Sequence, residues 1–328
     1  MEAAASAMED ALADVTRFCR ETGIPVEVGL DPNGTCLVGP ELTDLFTSSG
    51  QLEAKRTATG PDMAGLLVYL LSEAGVEEGD RVGVGASGSF PALMIATLAA
   101  VRAVGAEPVT ILSLGASSFG ATRPTFHLLD LYGLMERGGL VPGPPAAVSM
   151  GGSGDTGAEF TETFRNDLLG ELLAGDAPVL QIPDLPSNVA ERMALYGFSA
   201  TGGGAAGVAA FVNVGGAEAN LGISPRILFV PPGLAENLGD LPPENERGVL
   251  FEMASRGIPV IHLLHVRGLA LRYGLPWDPF PLPEAGSTRF RDAQGGKDFP
   301  FWLLTMGYFG ALAAVAFSGK LSGRGTVR

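Results

Sequence analysis

Four short segments rich in glycine and serine follow predicted buried strands of this chain. Glycine lets a backbone approach a ligand, and free N–H groups at the start of the next helix attract an anion such as a carboxylate or phosphate. A tight turn is the simpler explanation for any one segment, but four at one sheet edge favour a shared binding site. The segments span residues 85–91, 114–120, 150–155 and 214–218, and their candidate ligand-binding residues are Ser87, Gly88, Ser89, Ser117, Ser118, Asp155, Gly215 and Gly216.

The first segment is close to the G-x-S-x-G sequence that exposes a nucleophilic serine on a turn between strand and helix. Ser87 would be the nucleophile, although Ser89 replaces the final glycine of the pattern. His262 follows a predicted strand and is the candidate general base, with Asp130 or Asp155 orienting its ring. Because the match is incomplete, we favour a Ser87 that donates a hydrogen bond to a bound carboxylate over a catalytic one.

Lys55 and Arg56 place two adjacent cations before a predicted helix. They fit a solvated charge pair or a carboxylate clamp, in which Arg56 supplies a bidentate fork and Lys55 a point charge. His265 is a further candidate ligand-binding residue. His262 and His265 are three residues apart with no third ligand, and the nucleotide-binding glycine motifs are missing from the sequence. We therefore predict neither a metal site nor a cofactor.

Predicted helices and strands alternate through the middle of the chain. A helix at 61–75, a strand at 81–85, an apolar helix at 91–104 and a buried strand at 109–114 make a βαβ unit, which implies a parallel sheet with both faces covered. The pattern continues with helices at 124–137 and 160–174 and with strands at 146–150, 178–182, 208–214 and 258–263. We predict an α/β fold with a doubly wound, mainly parallel sheet of about six strands.

The sequence divides into an amphipathic helix at 1–22 and an α/β domain at 23–286, within which 231–246 is a loop-like insertion. The 36 acidic and 21 basic residues give a net charge of −15, which argues against a nucleic-acid partner. The chain has two cysteines, Cys19 and Cys36, and no disulfide framework or thiolate metal site. A single bridge between them is one alternative, but we favour unpaired thiols.

Residues 299–317 form an uncharged apolar run long enough for a helix to cross a hydrocarbon core of about 30 Å. Lys320, Arg324 and Arg328 follow with no acidic residue among them. A buried core helix is the alternative, but the polar connector at 287–298 that precedes the run favours a transmembrane helix followed by a basic tail at 318–328. We expect a membrane protein with one C-terminal span.

Several separated motifs within residues 30–286 resemble the poly-γ-glutamate system protein family. They are LDPNGT (30–35), LEAKRT (52–57), VGASGSFPAL (84–93), SLGASSFGA (113–121), FVNVGG (211–216) and IPVIHLLHVRGLALRYGLPWDPFPLPEAG (258–286). Proteins of that family are encoded with the bacterial machinery that makes and exports poly-γ-glutamate. The resemblance implies a pathway and not a reaction.

The residues and the resemblance leave three hypotheses about function, of which the third is a purely structural subunit that binds no ligand. The first is a membrane-attached accessory component of poly-γ-glutamate synthesis or export, with the polymer or its machinery as partner and a γ-glutamyl chain end as anionic ligand. The second is a serine-type hydrolase or transferase that acts on γ-glutamyl amide bonds through Ser87. Family members tend to carry a hydrophobic N-terminal segment, whereas this chain begins at the amphipathic helix. With such a segment the globular domain would lie outside the membrane, and as written it would be cytoplasmic.

Overall fold

The computed structural model describes residues 1–198, 206–235 and 238–290. The strands are β1 (Phe46–Ser48), β2 (Arg81–Ser87), β3 (Glu107–Ser113), β4 (Ala116–Ser117), β5 (Ala147–Ser149), β6 (Ala210–Val214), β7 (Gly233–Ala235) and β8 (Val260–Leu263). The α-helices are α1 (Glu2–Thr22), α2 (Leu52–Ala58), α3 (Asp62–Glu73), α4 (Pro91–Ala103), α5 (Leu128–Arg137), α6 (Glu162–Ala174), α7 (Leu185–Leu195), α8 (Glu218–Leu221), α9 (Val249–Ser255) and α10 (Val266–Tyr273).

The main sheet has the strand order β5-β3-β2-β6-β8-β7, and a separate pair joins β1 to β4. All neighbours in the main sheet are parallel except β7, which runs antiparallel to β8. The chain builds outward from β2 to β5 and then returns to place β6 on the other side of β2. This arrangement confirms the predicted α/β fold with a mostly parallel sheet.

Two layers of apolar side chains cover the two faces of the sheet. On one face Val82, Val84 and Ala86 pack with α1, α3 and α4, and every residue of α4 from Pro91 to Val101 is buried because nearly all are apolar. On the other face Ile111, Phe211 and Val260 pack with α7 and α9. Alternate residues of each strand face opposite layers, so the odd-numbered residues of β2 share this second face.

Two predicted elements differ from the structure. The strand predicted at 178–182 is a single bridge from Val179 to Val148, because Pro178 and Pro183 have no N–H to donate to a ladder. The insertion predicted as loop at 231–246 contains β7, which covers the edge of β8. The short α2, α9 and α10 and the β1–β4 pair were also missed, since each has few residues from which to read a period. The 11-residue α7 was missed as well.

Cys19 and Cys36 form a disulfide, so the expectation of unpaired thiols was wrong. The bond joins α1 to a loop that Asp31 organises, because the Asp31 carboxylate accepts hydrogen bonds from the Thr35 hydroxyl and the Cys36 N–H. Arg123 donates to the carbonyl oxygen of Cys36 as well. The contacts of Asp31 are local, but Arg123 lies 87 positions from Cys36, and the spacing of the two cysteines does not reveal that contact.

The predicted transmembrane helix at 299–317 and the basic tail at 318–328 lie outside the described residues. Within the described ranges, no helix is both long enough and apolar enough to cross a membrane. The first residues of the predicted connector do belong to the globular unit, which extends to Phe290. Asp62, at the start of α3, accepts hydrogen bonds from the N–H groups of Gly286 and Thr288.

Candidate functional site

A cavity of about 150 Å³ lies at the carboxyl ends of β5, β3, β2 and β6. It includes the point between β2 and β6 where the strand order reverses, which is where ligands bind in open α/β sheets. All four of the predicted glycine- and serine-rich segments contribute to its wall. The lining residues are Thr47, Ser48, Ser87, Ser89, Ser113, Gly115, Gly151, Gly152, Ser153, Glu159, Gly216, Ala217 and Glu218.

Three larger depressions, of about 400, 650 and 600 Å³, lie elsewhere on the described part of the molecule. None of them contains a residue of the four strand-end segments or any other predicted site residue. The smaller cavity is therefore the candidate site, because polar groups from several strands converge there.

Serines at matching positions end three neighbouring strands. Ser87 of β2 pairs in register with Ser113 of β3, which pairs with Ser149 of β5. Because residues in register on parallel strands point to the same face, the three hydroxyl groups form a row beneath the cavity. The Ser113 and Ser149 hydroxyl oxygens are 3.0 Å apart. Sequence analysis identified Ser87 but missed the other two, although each lies one residue before the end of a predicted strand.

Asp155 lies below this row, in a buried ion pair. Its carboxylate accepts hydrogen bonds from the Ser149 hydroxyl at 2.7 Å, the Asn188 amide at 3.0 Å and the Arg192 guanidinium at 2.7 Å. Arg192 also donates to Ser113, so the network ties α7 to the ends of β3 and β5. Asp155 is thus a buried counter-ion and not an open ligand-binding group. Nothing local in the sequence marks Arg192 as its partner.

The loop after β5 already binds two carboxylates of this chain. The N–H of Ser153 donates to Glu159, and the Ser153 hydroxyl donates to the same carboxylate at 2.6 Å. The N–H of Gly154 donates to Glu218 at 3.0 Å. Gly151 and Gly152 have φ angles of 73° and 72°, which glycine adopts readily, and the Glu159 carboxylate occupies the space where a Gly152 side chain would lie.

Other backbone N–H groups around the cavity have no acceptor. Among the described residues, the N–H groups of Ser89, Gly152, Gly216 and Ala217 donate to no protein atom. All four residues line the cavity. Such groups are the usual donors to an anion at the end of a parallel sheet.

Lys55 is buried directly behind the cavity wall. Its Nζ donates to the Ser89 carbonyl oxygen and to the Ser117 hydroxyl at 2.7 Å, and it lies 3.8 Å from the centre of the Phe90 ring. No carboxylate in the described part of the chain pairs with it. Burial lowers the pKa of Lys55 to about 7.

Arg56 does not share the partners of Lys55, so the two cations do not form the predicted carboxylate clamp. Its Nε and Nη2 atoms donate to the two carboxylate oxygens of Asp278, each at 2.6 Å. This bidentate pair raises the pKa of Arg56. The correction follows from helix geometry, because adjacent residues on α2 point about 100° apart. Lys55 faces the strand-end loops and Arg56 faces the segment that contains Asp278.

The remaining predicted residues of the loops after β2, β3 and β6 support the wall from behind. The Ser117 N–H donates to the Ser89 hydroxyl oxygen, and the Ser118 N–H donates to the Ser48 carbonyl oxygen. Gly88 packs against the backbone of the loop after β3, where a side chain has no room. Gly215 has a φ of 85° and lies against the Ser87 hydroxyl. The cavity is therefore shaped, but not lined, by Gly88, Ser117, Ser118 and Gly215.

His262 is not placed to act as a base for Ser87. It lies within β8 and is in register with Asn213 of β6, which is in register with Gly85 of β2, so two strand spacings, about 10 Å, separate the histidine from β2. Its Nδ1 lies 3.1 Å from the Asn213 amide, and burial lowers its pKa to about 4. The Ser87 hydroxyl instead contacts the Val214 carbonyl oxygen at 3.4 Å.

The other predicted partners of the nucleophile also lie elsewhere. Asp130 accepts a hydrogen bond from the His127 N–H at the start of α5. His265 is exposed at the start of α10, outside the cavity wall. No cluster of three or more metal-binding side chains occurs among the residues that the structure describes.

Gly85 has a packing role in the strand below. A side chain there would come within 2.5 Å of the Asn220 amide, so the absence of a Cβ lets Asn220 cover β2. Asn220 is fully buried in α8, two residues after Glu218, which lines the cavity. The glycine that suggested a nucleophile motif is therefore explained by packing.

The fold and site thus define an α/β protein with a small polar cavity at its strand ends. No protein-family model, no curated protein and no solved structure matches this chain.

Proposed function

We propose that this protein is a membrane-attached accessory component of poly-γ-glutamate synthesis or export, and that its strand-end cavity binds a γ-glutamyl chain end. The supporting observation is that motifs far apart in the sequence converge. Three of the motifs that resemble the family contribute Ser87, Ser113 and Gly216 to the cavity, and a fourth contributes Lys55 behind it. Convergence of this kind is expected when several segments serve one ligand.

The chemistry of the cavity suits a carboxylate. Four unpaired N–H groups and several hydroxyl groups line it, and Lys55 adds positive charge from behind. Its volume of about 150 Å³ is below the roughly 300–1,000 Å³ of most small-molecule pockets. A single terminal residue fits this volume better than a length of polymer does.

The disulfide supports a location for the domain outside the cytoplasm. Disulfides persist mainly in oxidising compartments, and here the bond joins the only two cysteines of the chain. We propose that residues 299–317 anchor the protein and that the domain meets the polymer on the outer side of the membrane. Protein recovered from producing cells under thiol-blocking conditions should then take up an alkylating reagent only after reduction. Cysteines that are alkylated without reduction would argue for a cytoplasmic domain.

Calorimetry on the full chain in mild detergent tests the proposed binding, with a γ-linked glutamate tripeptide as the probe and the α-linked tripeptide for comparison. We expect Lys55→Met to weaken binding of the γ-linked probe at least tenfold, as loss of about 1.5–3 kcal/mol from one charge-assisted interaction implies. Arg56→Met is the matched control, because Arg56 is bound to Asp278. Equal affinity for the probe in the parent and in Lys55→Met, or no binding by the parent, would contradict the proposal.

The hydrolase alternative has less support. Among the described residues, no histidine, carboxylate or lysine donates to or accepts from the Ser87 hydroxyl. A serine nucleophile needs a base within hydrogen-bond reach, either directly or through one water. We therefore assign Ser87 to ligand binding.

A further inference from the structure

The cavity presents negatively charged hydrogen-bond acceptors beside its free N–H donors. Glu159 and Glu218 line it together with Ser89, Gly152 and Gly216. Neither glutamate is paired with a lysine or arginine in the described part of the chain. A ligand that carried only carboxylates would be repelled by these two negative charges. A purely anionic ligand therefore does not account for the two glutamates in the cavity.

The two carboxylates are held in place and keep accepting capacity. Gly154 donates to Oε1 of Glu218, which leaves Oε2 without a protein donor among the described residues. Glu159 accepts from the Ser153 N–H and hydroxyl, so its position is also fixed. A carboxylate oxygen can accept about two hydrogen bonds, so both groups can receive a further donor from a ligand.

Free donors and carboxylate acceptors occur together on both sides of the cavity. Gly216 and Glu218 follow β6, and Gly152 and Glu159 follow β5. Glu218 bridges the two sides, since it begins α8 beside Gly216 and binds Gly154. A ligand with a cationic group next to an anionic group would satisfy both sets.

We propose that the cavity binds a zwitterionic end, an ammonium group beside a carboxylate, with Glu218 as the main acceptor of the ammonium and Glu159 as the second. This inference rests on the proposed function and makes its ligand specific. In a γ-linked glutamate chain only the amino-terminal residue carries a free α-amino group beside its α-carboxylate. The protein would therefore bind the amino-terminal end and not the interior or the carboxyl-terminal end.

Calorimetry with two probes tests the assignment, using the full chain in mild detergent. The probes are the γ-linked glutamate tripeptide and the same tripeptide acetylated on its amino group. We expect acetylation to weaken binding at least tenfold, because it removes the positive charge and fills space in a small cavity. Glu218→Gln should reduce the preference for the free amine several-fold, and it should not weaken binding of the acetylated probe, because it removes a negative charge from beside an anionic ligand.

Glu218→Gln is a suitable variant because glutamine keeps an oxygen that can accept from Gly154. Glu162→Gln is the matched control, since Glu162 is exposed in the first turn of α6, outside the cavity, and loses the same charge. Its preference between the probes should equal that of the parent. Affinity of Glu218→Gln for the acetylated probe also reports whether the cavity is intact.

The outcomes separate the inference from the proposed function. Equal binding of both probes by the parent would overturn the inference and leave the proposed function standing. A preference for the free amine that survives in both Glu218→Gln and the double variant with Glu159→Gln would overturn it too, because the preference would arise elsewhere. If the parent binds neither probe, the proposed function itself fails.

Discussion

Two buried cations lie behind the same cavity in contrasting surroundings. Arg192, below the loop after β5, pairs with Asp155 and donates to two serines, so its charge is balanced within the protein. Lys55, behind the loop after β2, has only neutral oxygen acceptors and the ring of Phe90. A buried charge without a counter-ion costs stability, and its retention is more readily explained by ligand binding than by folding. The comparison separates a structural region from the proposed binding region.

The largest expected effect is loss of the balanced pair. Asp155→Asn removes the counter-ion of a fully buried guanidinium, and leaving such a charge uncompensated costs about 3–5 kcal/mol. Urea unfolding monitored by circular dichroism measures this change. Asp184→Asn, at the exposed start of α7, is the control and should leave the free energy of unfolding nearly unchanged, because asparagine also caps helices. Similar losses in the two variants would mean that Arg192 is not stabilised by Asp155.

The second expected effect is a pH dependence of stability that comes from Lys55. Its pKa of about 7 in the folded protein is below the unfolded value of 10.5, so the unfolded chain binds more protons between these values. The free energy of unfolding therefore rises with pH across this window, by about 2 kcal/mol between pH 7 and pH 9.

Lys55→Met should lack this increase, so the difference between the two unfolding profiles isolates the contribution of the lysine. Chemical denaturation at pH 7, 8 and 9 measures both profiles. Parallel profiles would show that Lys55 keeps its proton in the fold, and the contrast with Arg192 would then rest on geometry alone.

The third expected effect concerns ligand affinity and rests on the proposed function. A carboxylate ligand interacts more strongly with protonated Lys55, so binding of the γ-linked tripeptide should weaken as pH rises from 6 to 8 across the pKa of about 7. We expect a change of about fivefold to tenfold, which corresponds to about 1 kcal/mol. Lys55→Met should bind weakly at every pH, with a flat profile. A flat profile in the parent would remove Lys55 from ligand binding.

The sequence predicted the central part of the fold because that part depends on local patterns. Buried apolar runs identified β2, β3, β6 and β8, and the regular alternation with helices predicted the parallel sheet. The strand-end loops could then be expected at one edge, since parallel strands end together. Short elements such as β7 and α8 carry too few residues to show a period.

The partners within the site could not be predicted in the same way. Arg192 and Asp155 are 37 positions apart. Of the two glutamates that line the cavity, Glu159 lies outside the predicted segments, and Glu218 ends one of them but was not among the predicted site residues. Lys55 and Arg56 looked like a unit in sequence, but a helix turns them toward different neighbours. Such contacts depend on how distant elements pack, which one sequence does not show.

The smallest expected effect is at Ser87, which lies between the two regions. If its hydroxyl only donates a hydrogen bond to the ligand, Ser87→Ala should weaken binding of the γ-linked tripeptide by about 1 kcal/mol, or roughly fivefold. We expect no turnover in the parent or in the variant, because His262 is two strands away and a pKa of about 4 makes it a weak base. Calorimetry and an assay for released glutamate measure the two quantities.

Labelling of Ser87 by a fluorophosphonate would contradict the assignment of Ser87 to ligand binding alone. It would also change the comparison between Lys55 and Arg192. An unpaired lysine with a pKa of about 7 could then serve as a base through intervening groups, and Lys55 would have a catalytic role in place of an electrostatic one. The variants distinguish these cases, since labelling that disappears in Lys55→Met but persists in His262→Ala would identify the lysine. With no labelling in the parent, the unpaired charge behind the cavity is assigned to binding.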